Sequence, residues 1–203
     1  MPFPTTNRQA ELPAVNEILA SVGQAPVTTL DQTNPDVAIA YDTLLQVSRE
    51  VQSEGWTFNK EYNYPFKPDS NKHIVIPNNI IQLDLTDDYR YYDTVRRDGK
   101  LYDRTKHTFE WTDEVLYCDV LWYFDWVDLP IPIKDYIVAR AATIVSSRIV
   151  GDPNQYQVIQ QREAYTRAMA LEYECNQGDY TYFGHGRGGN FYNSYQPYQA
   201  LSR

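Results

Sequence analysis

Apolar positions repeat at helical spacing near both ends of the chain and alternate in short runs between them. Over residues 10–22, Leu12, Val15, Ile18, Leu19 and Val22 recur every three or four positions, the period of a helix buried on one side. Gly23 follows directly and Pro26 confirms the exit, so the spacing predicts a first helix over 10–22. A second begins at Asn34-Pro35-Asp36. Asn34 is a capping residue, Pro35 fits a first turn where its missing N–H costs nothing, and Asp36 complements the positive helix end. Val37, Tyr41, Leu44, Leu45, Ser48 and Val51 then share a face, and Gly55 closes the segment.

The texture changes over residues 56–128, where β-rich runs alternate with turn signals. The runs are 56–59, 61–66, 73–76, 80–85, 91–96, 100–104, 108–112 and 115–123. Asp98-Gly99, between two of them, is the strongest hairpin signal in the chain. Pro65, Pro68 and Pro77 fall at ends or edges, where a missing donor is tolerated. A mostly antiparallel sheet or small barrel is expected.

Pro130-Ile131-Pro132 ends that region and opens a third helix, with Ile133, Ile137, Ala141, Ile144 and Val145 on its buried face. Ala139, Ala141 and Ala142 allow a neighbouring helix to approach closely, and Gly151 stops the element. Asp152-Pro153 starts a fourth helix running to about Cys175, with Tyr156, Ile159, Met169 and Tyr173 as expected core contacts and Gly178 as its end. Neither amphipathic pair can bury its stripe alone. The order therefore predicts an α+β fold: a four-helix bundle from residues 1–55 and 129–177, an inserted, mostly antiparallel β domain over 56–128, and an extended arm over 178–203. In that arm five residues are glycine and seven are aromatic: Tyr180, Tyr182, Phe183, Phe191, Tyr192, Tyr195 and Tyr198. Such a segment cannot build its own core, and its rings are costly to leave in water, so it is read as ordering against a partner.

Composition narrows the function. The net charge of −9 disfavours a general nucleic-acid binder, which needs cations to neutralise phosphates. The acid is uneven: residues 1–55 carry 2 basic and 7 acidic side chains, 56–128 carry 9 and 14, and 129–177 balance at 5 and 5. The 18 tyrosines suit interfaces and β-sheets alike. No run approaches the roughly 20 apolar residues of a membrane helix, and Met1-Pro2-Phe3-Pro4-Thr5 lacks the features of a secretory signal. A soluble protein made in a cytoplasm is expected. Cys118 and Cys175 give no disulfide framework.

Candidate chemistry is sparse. Gly184, Gly186 and Gly189 match G-x-G-x-x-G, but no strand precedes and no helix follows, so a dinucleotide site is rejected. His73, His107 and His185 are scattered, neither cysteine has a partner at ligand spacing, and no nucleophile elbow or phosphate loop is present. No metal, cofactor or catalytic residue is therefore assigned. The one enzymatic alternative is a polysaccharide-degrading hydrolase. Asp87, Asp88, Glu110, Asp113, Glu114 and Asp119 supply carboxylates of the kind that flank a glycosidic bond, and Trp111, Trp122 and Trp126 supply rings on which sugars stack. With 27 acidic residues in the chain, a suitable pair also arises by chance.

Several strings carry a more specific signal. Ala14-Val15-Asn16-Glu17-Ile18-Leu19-Ala20-Ser21-Val22-Gly23, followed by Pro26-Val27-Thr28-Thr29-Leu30, opens the set. Val51-Gln52-Ser53-Glu54-Gly55-Trp56-Thr57-Phe58-Asn59, Leu101-Tyr102-Asp103-Arg104 and Asp128-Leu129-Pro130 continue it. Tyr136-Ile137-Val138-Ala139-Arg140-Ala141-Ala142, Glu163-Ala164-Tyr165 and Ala170-Leu171-Glu172-Tyr173-Glu174 complete it. In this order they resemble the tail tubular protein A family of short-tailed bacteriophages over about residues 10–176; residues 178–203 carry no matching block. The resemblance implies a structural head-to-tail adaptor rather than an enzyme. It implies a dodecameric ring docked under the portal protein, with the nozzle protein, tail tubular protein B, below and tail fibre protein attached around the junction. It further implies a central channel through which double-stranded DNA passes during packaging and ejection. The implied location is the head-tail junction of the virion.

Overall fold

The computed structural model describes residues 8–31, 33–89, 91–178, 180–181 and 184–185. Helices Arg8–Ser21 (α1) and Pro35–Gln52 (α2) precede a region of strands, and helices Ile131–Ile149 (α3) and Pro153–Gly178 (α4) follow it. The strands are Lys60–Phe66 (β1), Ile80–Leu85 (β2), Thr94–Arg97 (β3), Lys100–Asp103 (β4) and Leu116–Trp122 (β5). A last pair, Tyr180–Thr181 (β6) and Gly184–His185 (β7), lies beyond α4. The fold is mixed α+β, and every strand pairing is antiparallel.

The stop and start signals act as the sequence predicts. Gly23, Gly55 and Gly151 all hold positive φ. The side chain of Asn34 accepts a hydrogen bond from the Asp36 backbone N–H at 3.1 Å, and Pro35 opens α2. Helix α1 begins before residue 10 and runs through Pro13, whose missing N–H leaves the carbonyl of Gln9, an exposed residue, without its helix partner.

Helix α3 packs against α1, α2 and α4 alike. One apolar core joins Val15, Ile18 and Leu19 of α1, Val37, Leu44 and Val51 of α2, and Ile133, Ile137 and Val145 of α3. Each such side chain contributes about 1.5–3 kcal/mol relative to its exposed state. Ala139, Ala141 and Ala142 are buried, as close helix approach requires. Helix α4 enters this core differently. Ile159 packs at its margin, and Ala170 is the one fully buried residue among those described. Met169, expected in the core, is 41% exposed. The less exposed face of α4 is set by Ile159, Glu163, Thr166, Ala170 and Tyr173, and Met169 lies on its flank.

Strands β1, β5 and β2 form one sheet with β5 central, and β3 and β4 form a separate hairpin. Pro65 sits on the edge strand β1, where a missing donor is harmless. Phe66, Ile74, Ile76, Ile80, Leu101, Trp111, Leu116, Cys118 and Val120 make a second core. Asp98 and Gly99 both take positive φ between paired Arg97 and Lys100, the two-residue turn the sequence announced. Three expected strands are not formed. Residues 56–59 are a turn, and 73–76 and 108–112 make only isolated bridges, His73 to Glu110, Val75 to Lys100 and Asp103 to Thr108. Apolar alternation there reflects anchoring into the second core by Ile74, Ile76 and Trp111, without a continuous ladder.

Candidate functional site

A dense hydrogen-bond network lies where the chain leaves the helices for the strands and where it returns. Gly55 turns the chain, and Trp56 is buried with its indole N–H donating to the Val51 carbonyl at 2.7 Å. Asn59 is fully buried. Its side-chain oxygen accepts from the Trp56 N–H at 2.9 Å, and its amide nitrogen donates to the carbonyls of Gln52, at 2.8 Å, and Trp122, at 2.9 Å. Gln52, equally buried, pairs with the backbone of Phe124: Nε2 donates to its carbonyl at 3.1 Å and Oε1 accepts from its N–H at 2.8 Å. Two buried amides thus satisfy themselves by tying the outgoing and returning chain together.

Polar clamps hold α4. Both oxygens of Glu174 accept from the Thr57 N–H at 3.0 Å, and one also accepts from the Thr57 hydroxyl at 2.8 Å. The buried hydroxyl of Tyr136 accepts from Arg140 at 3.1 Å and from Arg167 at 2.5 Å. The same arginines reach Glu50 of α2, at 3.2 Å, and Glu54 just beyond it, at 3.4 Å. The Tyr136 hydroxyl, and to a lesser extent the nearby glutamates, raise the pKa of both guanidiniums. Near the other end of α4, Gln155 donates to the Ser21 carbonyl at 2.5 Å and Arg162 pairs with Glu17. Between these two bridges α1, α3 and α4 leave an apolar groove of about 340 Å³, lined by Ala20, Ala139, Ala142, Val158 and Ile159. Pattern reading found the element ends but neither these clamps nor the groove, because their partners lie up to 145 residues apart.

Of the carboxylates singled out for sugar chemistry, Asp119, Glu110 and Asp113 have different partners. Asp119 of β5 stands directly opposite Asp84 of β2 and shares a polar cavity of about 250 Å³ with Asp84, Lys60 and Glu54. Glu110 lies beside His73 instead, and Asp113 accepts from the Tyr92 hydroxyl at 2.9 Å. Asp84 was readable as the outward position between Leu83 and Leu85. The expected stacking rings are engaged elsewhere. Trp111 is buried and donates to the Leu101 carbonyl, Trp122 donates to Glu61, and Trp126 packs on the helical core. Burial, with the hydrogen bond to Asp113, pushes Tyr92 up to about 12, and burial pushes the Cys118 thiol up to about 12. His73 receives a 3.1 Å contact from the Lys100 ammonium, and among the described residues no three histidine, cysteine or acidic side chains gather as metal ligands do. Gly184 lies in β7, whereas Gly186 and Gly189 fall outside the described residues.

What remains is surface. Helix α4 turns Val158, Tyr165 and Met169 outward on one side, 68%, 66% and 41% exposed. The model of the tail tubular protein family matches residues 12–180, from α1 through the start of β6. The chain belongs to the tail tubular protein family. It is also similar to tail tubular protein A of Klebsiella phage KP34, with 26% identity over 169 residues, 82% of this chain and 88% of the relative. The resemblance read from the quoted strings is therefore borne out. As a tail tubular protein the chain is a viral protein, a structural component of a bacteriophage tail. No helix among the described residues is long and apolar enough to cross a membrane.

Proposed function

We propose that this tail tubular protein is a head-to-tail adaptor whose copies form a ring, dodecameric as the resemblance implies, between the portal and the tail nozzle protein. The observation that carries this reading is α4. It is 26 residues long, yet buries only Ala170 completely and offers Val158, Tyr165 and Met169 to the outside. Such a stripe calls for cover, and a ring supplies it by contacts in which each subunit uses two different surfaces.

On this reading the four helices complete their bundle when a neighbour lies against α4. Residues 1–55 and 129–177 are the rigid helical domain, 56–128 an inserted β domain, and 178–203 an arm that orders on a neighbouring subunit or the portal. Tail fibres attach around the junction. The acidic excess of residues 1–128 faces a channel through which double-stranded DNA slides, because like charge removes the counterion release that would hold it. The role is mechanical, without cofactor or bond-making site, and is exercised at the head-tail junction of particles assembled in the host cytoplasm.

Replacing Tyr165 and Met169 together by glutamate tests the proposal. The expected outcome is an unchanged circular dichroism spectrum with loss of higher-mass species when the protein is mixed with portal and weighed. Ring formation by that variant, or a strictly monomeric native protein that ignores portal, would overturn it. A basic lumen in a map of the ring would remove the acidic-channel part.

A further inference from the structure

The groove between α1, α3 and α4 has an apolar floor and a polar rim. Ala20, Ala139, Ala142 and Ile159 provide the floor, while Glu17, Gln155 and Arg162 stand around it. Its 340 Å³ is close to the lower limit, about 300 Å³, of small-molecule pockets, so it takes one or two side chains rather than a helix. Ring against alanine and aliphatic side chains, hydroxyl towards carboxylate, amide or guanidinium: that is the environment a tyrosine fits and a phenylalanine does not.

The chain carries tyrosines of its own beyond α4, and their tether has a definite length. About 20 residues of α4 separate Val158 from Gly178, or roughly 30 Å of helix. Strands β6 and β7 reverse the chain immediately after that end. From His185, an extended segment reaches about 23 Å at Tyr192, about 33 Å at Tyr195 and about 43 Å at Tyr198. Tyr192 falls short of Val158, and Tyr195 and Tyr198 reach it. A tether of this length keeps its end at an effective concentration on the order of millimolar, above that of any second copy in dilute solution.

We propose that in the free subunit the C-terminal arm folds back along α4 and seats Tyr195 or Tyr198 of the same chain in this groove. The proposal rests on reading 178–203 as an ordering arm, and it adds the surface that receives it. Val158 belongs both to the groove and to the outward stripe of α4. The seated arm therefore covers one end of the face that the ring needs, and assembly must displace it.

Engineered cysteines test this in the full-length chain with Cys175→Ser, which leaves only the buried Cys118. Val158→Cys is combined in turn with Tyr192→Cys, Tyr195→Cys or Tyr198→Cys and exposed to oxidised glutathione. The expected result is an intrachain disulfide for Tyr195→Cys or Tyr198→Cys, at least tenfold above Tyr192→Cys and unchanged on dilution. Bonds only between chains, which would mean a second copy in the groove, overturn the proposal, as do equal yields at all three positions. Val158 is 68% exposed, so its replacement leaves the core untouched. Deleting 186–203 separates the two readings. Loss of incorporation into particles with no intrachain bond in the cysteine series keeps the adaptor and removes the fold-back; normal incorporation with the bond formed does the reverse for the assembly role of the arm.

Discussion

Tyr136 shows how much a single buried hydroxyl organises. It accepts from two guanidiniums that in turn meet Glu50 and Glu54, so one phenol joins α2, α3 and α4. Hydrogen bonds to charged donors are worth about 1.5–3 kcal/mol, less when the donors are partly exposed as here. Tyr136→Phe is expected to cost about 1–2 kcal/mol in urea unfolding without changing the helical signal. Glu174→Gln, which loses the charge behind the bonds to Thr57, is expected to cost about 1 kcal/mol and to raise amide exchange at Thr57. Alkaline behaviour follows from Cys118 and Tyr92. Both are held protonated in the native state to about 12, against ordinary values of 9.0 and 10.0. The unfolded chain releases these protons first, so their contribution is fully present below pH 9 and lost as pH rises towards 12. Unfolding midpoints measured across that window should fall, and Cys118→Ala should flatten the decline from its lower end.

Among the elements, the hairpin of β3 and β4 depends most on backbone chemistry. Gly99 holds φ +70 with open space where a Cβ would stand, so Gly99→Ala meets no clash and bears only the left-handed penalty of about 1–2 kcal/mol, readable as a lowered Tm. That turn was legible because Asp98-Gly99 is a local code, and so were the ends of the helices, marked by Gly23, Asn34-Pro35 and Gly151. Strands β2 and β5 were legible from their apolar runs. Residues 56–59 were not. Trp56 and Phe58 alternate as a strand does, but the conformation is decided by Asn59, whose partners include Trp122, 63 positions away. Met169 misled for the opposite reason. An apolar residue in a helix with little core has no obligation to face inward, and the polar clamps at Arg167 and Glu174 set the rotation of α4. The candidate sugar site was unreadable as a unit, since pattern names outward carboxylates without saying that Asp119 faces Asp84 and not Glu110.

At the scale of the whole molecule, substitutions on the outer face of α4 and in its clamps should separate cleanly. Tyr165→Glu is expected to leave the unfolding free energy of the subunit within about 0.5 kcal/mol, because the residue is 66% exposed, and to act on assembly alone. Tyr136→Phe should do the reverse in the isolated subunit.

The bonded crossing at Gln52, Asn59, Trp122 and Phe124 gives the molecule a narrow neck. The strands are a lever, and a few side-chain amides are its fulcrum. Thr57 sits in that neck and is gripped by Glu174, so the far end of α4 is fastened to the same crossing that carries the strands. Loosening that crossing, as by Asn59→Ala, is expected to free strands and α4 together, which amide exchange at Thr57 and Trp122 would report.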